Sequence, residues 1–187
     1  LNECWACYHS KMYNFKVDGI EIGIVPCIVG SSYAVLVAEQ LFVSGCTNLI
    51  SVTSSGIINH PAQNKKFALI TEAIRDEGTS YHYLPPDKSS MLSPTLYQNL
   101  SVNKLPDDCP YFAAKSWTTD APYRETQTAI SAMEKENVCC VEMEASALYA
   151  FATAKQKNVI CFAHLTNTMA IHEGDFEKGE HFGSIDT

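Results

Sequence analysis

Four apolar residues, Val138, Cys139, Cys140 and Val141, run without a break into Glu142-Met143-Glu144, and a helical pattern begins at once at Ala145. A continuous apolar run suits a strand covered on both faces, and a strand that hands over to a helix within three residues is half of a βαβ unit. Two carboxylates stand at the mouth of that strand. An unpaired buried charge is costly, so each needs donors from the chain or from something bound. Carboxylates one residue apart can accept from vicinal hydroxyls, and the methionine between them offers an adaptable apolar surface. Glutamate is also favoured at a helix start by capping and by the helix dipole, so the turn alone leaves a structural role open.

The alternation recurs along the chain. Residues 21–28 form an Ile/Val-rich run expected as a buried strand, broken by Gly30-Ser31-Ser32. Residues 34–42 have helical spacing and stop at Ser44-Gly45-Cys46. Strands are expected at 49–53, 67–74, 111–117, 138–141 and 159–165, and helices at 95–100, 126–135 and 145–154. The Pro/Ser-rich stretch 85–94 reads as loop. The pattern predicts an α/β fold, a three-layer sandwich around a central mixed, largely parallel, twisted sheet, in one domain over residues 1–187. A chain of 187 residues that is 46% hydrophobic can build such a core. The chain opens without an initiator Met and stops at Gly183-Ser184-Ile185-Asp186-Thr187, so N-terminal and C-terminal portions of a longer protein are expected beyond it.

In such sheets ligands bind beyond the carboxyl ends of the strands. Small polar clusters fall at those ends: Gly30-Ser31-Ser32, Thr53-Ser54-Ser55-Gly56, Thr118-Thr119-Asp120, Glu142-Met143-Glu144 and Thr166-Asn167-Thr168. Each alone is an ordinary turn or cap. Their joint placement points to a site.

The net charge of −8 argues against nucleic acid or an anionic membrane surface as main partner. No stretch reads as a bilayer span or a signal peptide. Several of the eight cysteines lie inside apolar runs, which predicts reduced thiols and a cytoplasmic location. Cys4-Trp5-Ala6-Cys7 has metal-like spacing but no matching second pair, so no metal is expected.

Val141-Glu142-Met143-Glu144-Ala145 resembles the most specific motif of the nucleoside phosphorylase family, which includes uridine phosphorylase, the hexameric purine nucleoside phosphorylases and the methylthioadenosine nucleosidases. Gly30-Ser31-Ser32 before an Ala-rich helix resembles the family's first glycine turn. Residues 51–56, Ser-Val-Thr-Ser-Ser-Gly, stand in place of its phosphate-side turn. Residues 117–126, Trp-Thr-Thr-Asp-Ala-Pro-Tyr-Arg-Glu-Thr, and residues 74–83 resemble a loosely characterised bacterial-type branch. The likeness runs from about Val17 to about Glu180.

The resemblance implies cleavage of an N-glycosidic bond, with phosphate attacking the anomeric carbon of a purine ribonucleoside to give free base and ribose 1-phosphate. It implies that Glu144, with Glu142 and Met143, holds the ribose, and that Gly30 and Ser54 cradle the phosphate. Asn167 aligns with a base-contacting Asp; its amide suits a 6-oxopurine and stabilises the leaving base by hydrogen bonding. Tyr123 is a candidate to stack on the base. Glu144 and Asn167 are thus the candidate catalytic residues. No cofactor is implied beyond inorganic phosphate as co-substrate, and a homo-oligomer is. The family's phosphate-side Arg is replaced by Ser51, which leaves Arg75, Arg124 or a neighbouring subunit to supply a cation and keeps two alternatives open: a nucleosidase using water, or a nucleoside-binding or storage-type member without turnover. His82 and His164 read as structural, His60 and His172 have no assigned role, Asp175 and Glu177 read as solvated loop, and Asp120 is expected to anchor its own turn through Thr118 or Arg124.

Overall fold

The structure, a computed structural model, describes residues 1–59, 66–102 and 110–168, with the side chains of Val102, Asn167 and Thr168 outside the described set. The elements in chain order are β1 (Tyr13–Val17), β2 (Ile20–Ile24), α1 (Ser31–Val43), β3 (Asn48–Ile57), β4 (Phe67–Asp76), β5 (Ser89–Met91), α2 (Pro94–Val102), β6 (Tyr111–Thr119), α3 (Gln127–Lys135), β7 (Cys140–Glu142), α4 (Ala145–Lys155) and β8 (Asn158–Thr168). Single 3₁₀ turns lie at Ser80–His82 and Pro122–Arg124.

Six strands form one mixed sheet in the order β5-β4-β6-β7-β3-β8. The long pairings β3–β8 and β4–β6 are parallel, as is β6–β7. The sheet also closes on itself: β4 pairs antiparallel with β8 through Phe67↔His164, Ala68↔Ala163 and Leu69↔Phe162. Successive residues point to opposite faces. Ala73 and Cys140 therefore join the larger core under α1 and α4, while Ile74, Trp117 and Val141 join a smaller one with Ile130 of α3. Helices on both faces give the expected α/β architecture.

α1 buries Ser31, Ala34, Val35 and Ala38, an i, i+3, i+4, i+7 stripe. It ends in a Schellman pair, with Cys46 N–H donating to Leu41 O at 3.0 Å and Gly45 N–H to Phe42 O at 3.3 Å, and with Gly45 at φ 100°. α4 is buried continuously from Ala145 to Phe151, as a helix between sheet and α1 must be.

Two expectations are corrected. Residues 21–28 are not a buried strand. Ile20-Glu21-Ile22-Gly23-Ile24 alternates, and its isoleucines pair with Tyr13, Phe15 and Val17 across a separate two-stranded hairpin that is mostly exposed. Asp18 and Gly19, both at positive φ, make its two-residue turn. The stretch 85–94 is not all loop, because Ser89–Met91 pairs antiparallel with Glu72–Ile74 as an edge strand.

Tyr149 marks where the closure opens. The register that ends at Leu69↔Phe162 would next bring Ile70 to Cys161. Instead the Tyr149 hydroxyl donates to Ile70 O at 2.5 Å and accepts from Cys161 N–H at 3.1 Å. Burial pushes its phenol well above the ordinary tyrosine range. Tyr149→Phe leaves two buried backbone groups without that partner, and thermal or urea unfolding is expected to report a loss of about 1–3 kcal/mol.

Candidate active site

β6 and β7 run parallel, with Thr118 in register opposite Glu142 at their carboxyl ends. The Thr118 hydroxyl reaches Glu142 Oε1 at 2.5 Å, and the Ser116 hydroxyl reaches the same oxygen at 3.0 Å. Oε2 accepts from the backbone N–H of Glu144 at 2.8 Å and of Ala145 at 2.7 Å. Four donors thus occupy the roughly four lone-pair positions a carboxylate has. Thr118 Oγ1 also accepts from Ser146 N–H at 3.0 Å. The first amides of α4 are therefore satisfied inside the chain by a carboxylate and a hydroxyl, which places a negative charge where the helix dipole favours it. Glu142 is 3% exposed, and burial pushes its carboxyl up to about 7. Glu142, expected to share in holding the ribose, has both oxygens hydrogen-bonded within the chain, to the turn and to β6.

Glu144 differs. It caps α4 with φ −131° and is 5% exposed. Oε1 accepts from Gly30 N–H at 2.6 Å and Oε2 from the Thr53 hydroxyl at 2.9 Å. The Met143 backbone N–H also donates to this carboxylate, and three donors leave part of its acceptor capacity free. Burial raises the Glu144 carboxyl above its ordinary range, and the hydrogen bonds from Gly30, Thr53 and the Met143 backbone pull the other way. Gly30 must be glycine because it caps α1 at φ 91°, ψ 148°, a region essentially closed to other residues; space is no constraint there. The Ser31 hydroxyl donates to Met143 O at 2.7 Å, so the start of α1 docks on the Glu-Met-Glu turn at two points. Met143 is half-buried.

A second layer supports the first. Ser146 Oγ donates to Glu77 Oε1 at 2.9 Å, and Glu77 Oε2 accepts from the N–H groups of Thr79 at 2.6 Å and Ser80 at 2.9 Å. Arg75 is buried, and its guanidinium donates to Ser80 Oγ, Pro85 O and Leu84 O while lying over the Tyr81 ring. It holds the 80–85 loop and is thereby committed away from an anion. Asp120 anchors its neighbour and not its own turn, with Oδ2 accepting from Gly78 N–H at 2.9 Å.

Four of the five polar clusters form one hydrogen-bonded chain through Gly30-Ser31, Thr53, Thr118 and Glu142–Glu144, and the fifth touches the second where the Thr166 hydroxyl donates to Ser55 O at 3.3 Å. Ser54 is exposed and alternates to the face opposite Thr53. Ser51 lies on β3 beside Cys161. Tyr123 and Arg124 are in the exposed turn after β6, Tyr123 at 90% exposure. Asn167 is in register with Gly56 on β8, and its side chain lies outside the described residues. His60, His172, Asp175 and Glu177 lie outside them altogether. His164 stacks on Phe67 with ring centroids 4.9 Å apart. The seven described cysteines are unpaired thiols. Among the described residues, no cluster has three or more metal-ligating side chains, and no helix is long and apolar enough to cross a membrane. The sequence placed Thr53 in a polar cluster without a role of its own, and gave no sign of Ser116. The signal for Thr53 was the small polar series Ser51, Thr53, Ser55 on one face of β3.

The sequence matches the phosphorylase superfamily over residues 6–185. The fold is similar to that of uridine phosphorylase from Vibrio fischeri ES114, with TM-score 0.72 and 22% identity over 83% of this chain and 66% of that one. The same enzyme complexed with 6-hydroxy-1-naphthoic acid gives TM-score 0.73 and 21% identity over 88% and 68%. AMP nucleosidase from Bacteroides thetaiotaomicron VPI-5482 gives TM-score 0.69 and 20% identity over 84% and 65%. The chain therefore spans about two thirds of the length of these neighbours. No curated protein matches the sequence.

Proposed function

Because the chain belongs to the phosphorylase superfamily, we propose that it cleaves the N-glycosidic bond of a purine ribonucleoside by phosphorolysis, releasing free base and ribose 1-phosphate. The observation that carries this reading is Glu144: a buried carboxylate at the strand ends, fixed through both oxygens yet with acceptor capacity left. Vicinal sugar hydroxyls donate to that carboxylate. As the C1′–N bond breaks, its electron pair leaves with the base and the ribosyl group gains oxocarbenium character. A preset carboxylate stabilises that positive charge without reorganising. Glu142 holds the turn that presents Glu144 and Met143, and Met143 packs on the sugar. Asn167 and Tyr123 take the base, the amide of Asn167 favouring a 6-oxopurine. Phosphate attacks C1′ from the side of the glycine turn at Gly30, where the first amides of α1 lack intrahelical partners. The active form is a homo-oligomer in a reducing, cytoplasmic setting. The exposed apolar face of the β1–β2 hairpin supports an assembly.

Hydrolysis is the second reading, favoured by Ser51 on the phosphate-side turn and by the commitment of Arg75 to its own loop. Base release from inosine, guanosine, adenosine and uridine, measured with and without phosphate, separates the two. Phosphorolysis predicts release that requires phosphate and is largest for inosine and guanosine. Phosphate-independent release makes the protein a nucleosidase, and binding without release makes it a nucleoside-binding member.

A further inference from the structure

Thr53 stands out because the reading above gives it no task. It sits on β3 in the inward series Ser51, Thr53, Ser55, while Ile50 and Val52 of the same strand point outward at 60% and 62% exposure. A β-branched threonine is well placed in a strand without any further role. Its hydroxyl, however, donates to Glu144 Oε2 at 2.9 Å across 91 residues of sequence. The other oxygen is held by Gly30 N–H at 2.6 Å. The two donors come from different elements, a strand and a helix start. Together they set the rotation of the carboxylate plane as well as its position. The Thr53 hydroxyl also has the carbonyl of Ser54 within 3.2 Å, so its proton has a second acceptor and the hydrogen bond to Glu144 is adjustable.

We propose that Thr53 is a positioning residue: it fixes Glu144 so that the acceptor capacity left on the carboxylate faces a vicinal diol, which makes the site discriminate ribose from 2′-deoxyribose. The inference rests on the reading of Glu144 as the sugar-binding carboxylate. Two adjacent hydroxyls share that capacity and need the carboxylate plane set for both, whereas a sugar lacking the 2′-hydroxyl needs it set for one. Loosening the carboxylate therefore harms the diol more than the single hydroxyl.

The surroundings of Glu144 give a second readout. Its charge acts on the Glu142 carboxyl on β7 and on the Cys161 thiol on β8, raising both. α1 contributes the Gly30 amide and β3 the Thr53 hydroxyl. No ion pair with Glu144 exists among the described residues. These two hydrogen bonds, with one from the Met143 backbone, oppose burial in keeping the group ionised, and removing that of Thr53 moves its titration to higher pH.

The test compares wild type, Thr53→Val and Thr53→Ser, with inosine and 2′-deoxyinosine as substrates, by kcat/KM as a function of pH. Thr53→Val is expected to lower kcat/KM for inosine roughly ten- to a hundredfold, the range of a hydrogen bond to a charged group. The loss for 2′-deoxyinosine is expected to be several-fold smaller, and the acid limb of the profile to move up. Thr53→Ser, which keeps the hydroxyl, is expected to restore limb and ratio. Thr53→Ala repeats the measurement should the valine variant fail to fold. A folded variant without the hydroxyl that keeps either the wild-type limb or the wild-type ratio overturns the role of Thr53 and leaves Glu144 in place. A wild-type protein that releases base from neither substrate overturns the reading of the site, and this inference with it.

Discussion

Glu144→Gln is expected to fold normally and to lose roughly 10²–10³-fold in kcat, the magnitude typical of removing one preset electrostatic group from a transition state. Volume is unchanged, and the local hydrogen bonds tolerate the exchange. The glutamine oxygen accepts from Gly30 N–H as Oε1 does now at 2.6 Å. The new NH₂ group faces the Thr53 hydroxyl, which turns its proton to Ser54 O, 3.2 Å away, and accepts instead. What disappears is the negative charge that the proposed reading sets beside the ribosyl group. That charge matters more as the C1′–N bond breaks than in the bound nucleoside, so the loss belongs in kcat more than in KM. Steady-state kinetics with thermal unfolding as a fold control checks this. A Glu144→Gln protein with near wild-type kcat removes the carboxylate from the chemistry, whichever base and whichever nucleophile the protein uses.

The alternation of apolar strands and helical stretches was enough to predict an α/β fold with a mixed sheet, because continuous runs such as Val138–Val141 and Leu69–Ile70 have few other uses. It failed at residues 21–28. There the isoleucines at 20, 22 and 24 carry a period of two, but the neighbouring Val25 and Ile28 blur it into a continuous run. Closure of the sheet between β4 and β8 was invisible for another reason. It depends on three backbone pairings and on the Tyr149 hydroxyl, and neither leaves a pattern in either strand. At the site, the sequence placed the polar clusters at the strand ends but could not divide labour within them. Glu142 and Glu144 look equivalent in the text of the chain. The turn from strand to helix makes them different: Glu142 is the last residue of β7 and turns back onto Thr118 and the α4 amides, whereas Glu144 caps the helix and meets Gly30 and Thr53. One residue of pleat likewise separates Thr53 from Ser54.

That division of labour makes Glu142 the larger test of stability. Glu142→Ala removes the acceptor of four donors: the N–H groups of Glu144 and Ala145 and the hydroxyls of Ser116 and Thr118. The hydroxyls can turn elsewhere. The two backbone amides cannot, and a buried unpaired donor costs about 1–3 kcal/mol, so the variant is expected to lose about 3–5 kcal/mol with the cavity included. Glu142→Gln keeps an acceptor for both amides, and its NH₂ donates to the two hydroxyl oxygens. It should therefore unfold close to the wild type and keep turnover within several-fold, unlike Glu144→Gln. The pH dependence has a definite sign. Burial raises the folded-state pKa of Glu142 from 4.5 to about 7, so the folded state holds the proton more tightly than the unfolded chain. The stability this group contributes is fully present below pH 4.5 and is lost as pH rises through about 7. One extra proton bound by the folded state gives a slope of about −1.4 kcal/mol per pH unit inside that window. Glu125, half-buried and also raised to about 7, adds to the same slope. Urea unfolding at half-unit steps from pH 5 to 8 is expected to show a falling free energy in the wild type and a flatter one in Glu142→Gln. Equal slopes in the two proteins would mean that Glu142 stays ionised across the range, held so by its four donors against the burial that opposes them.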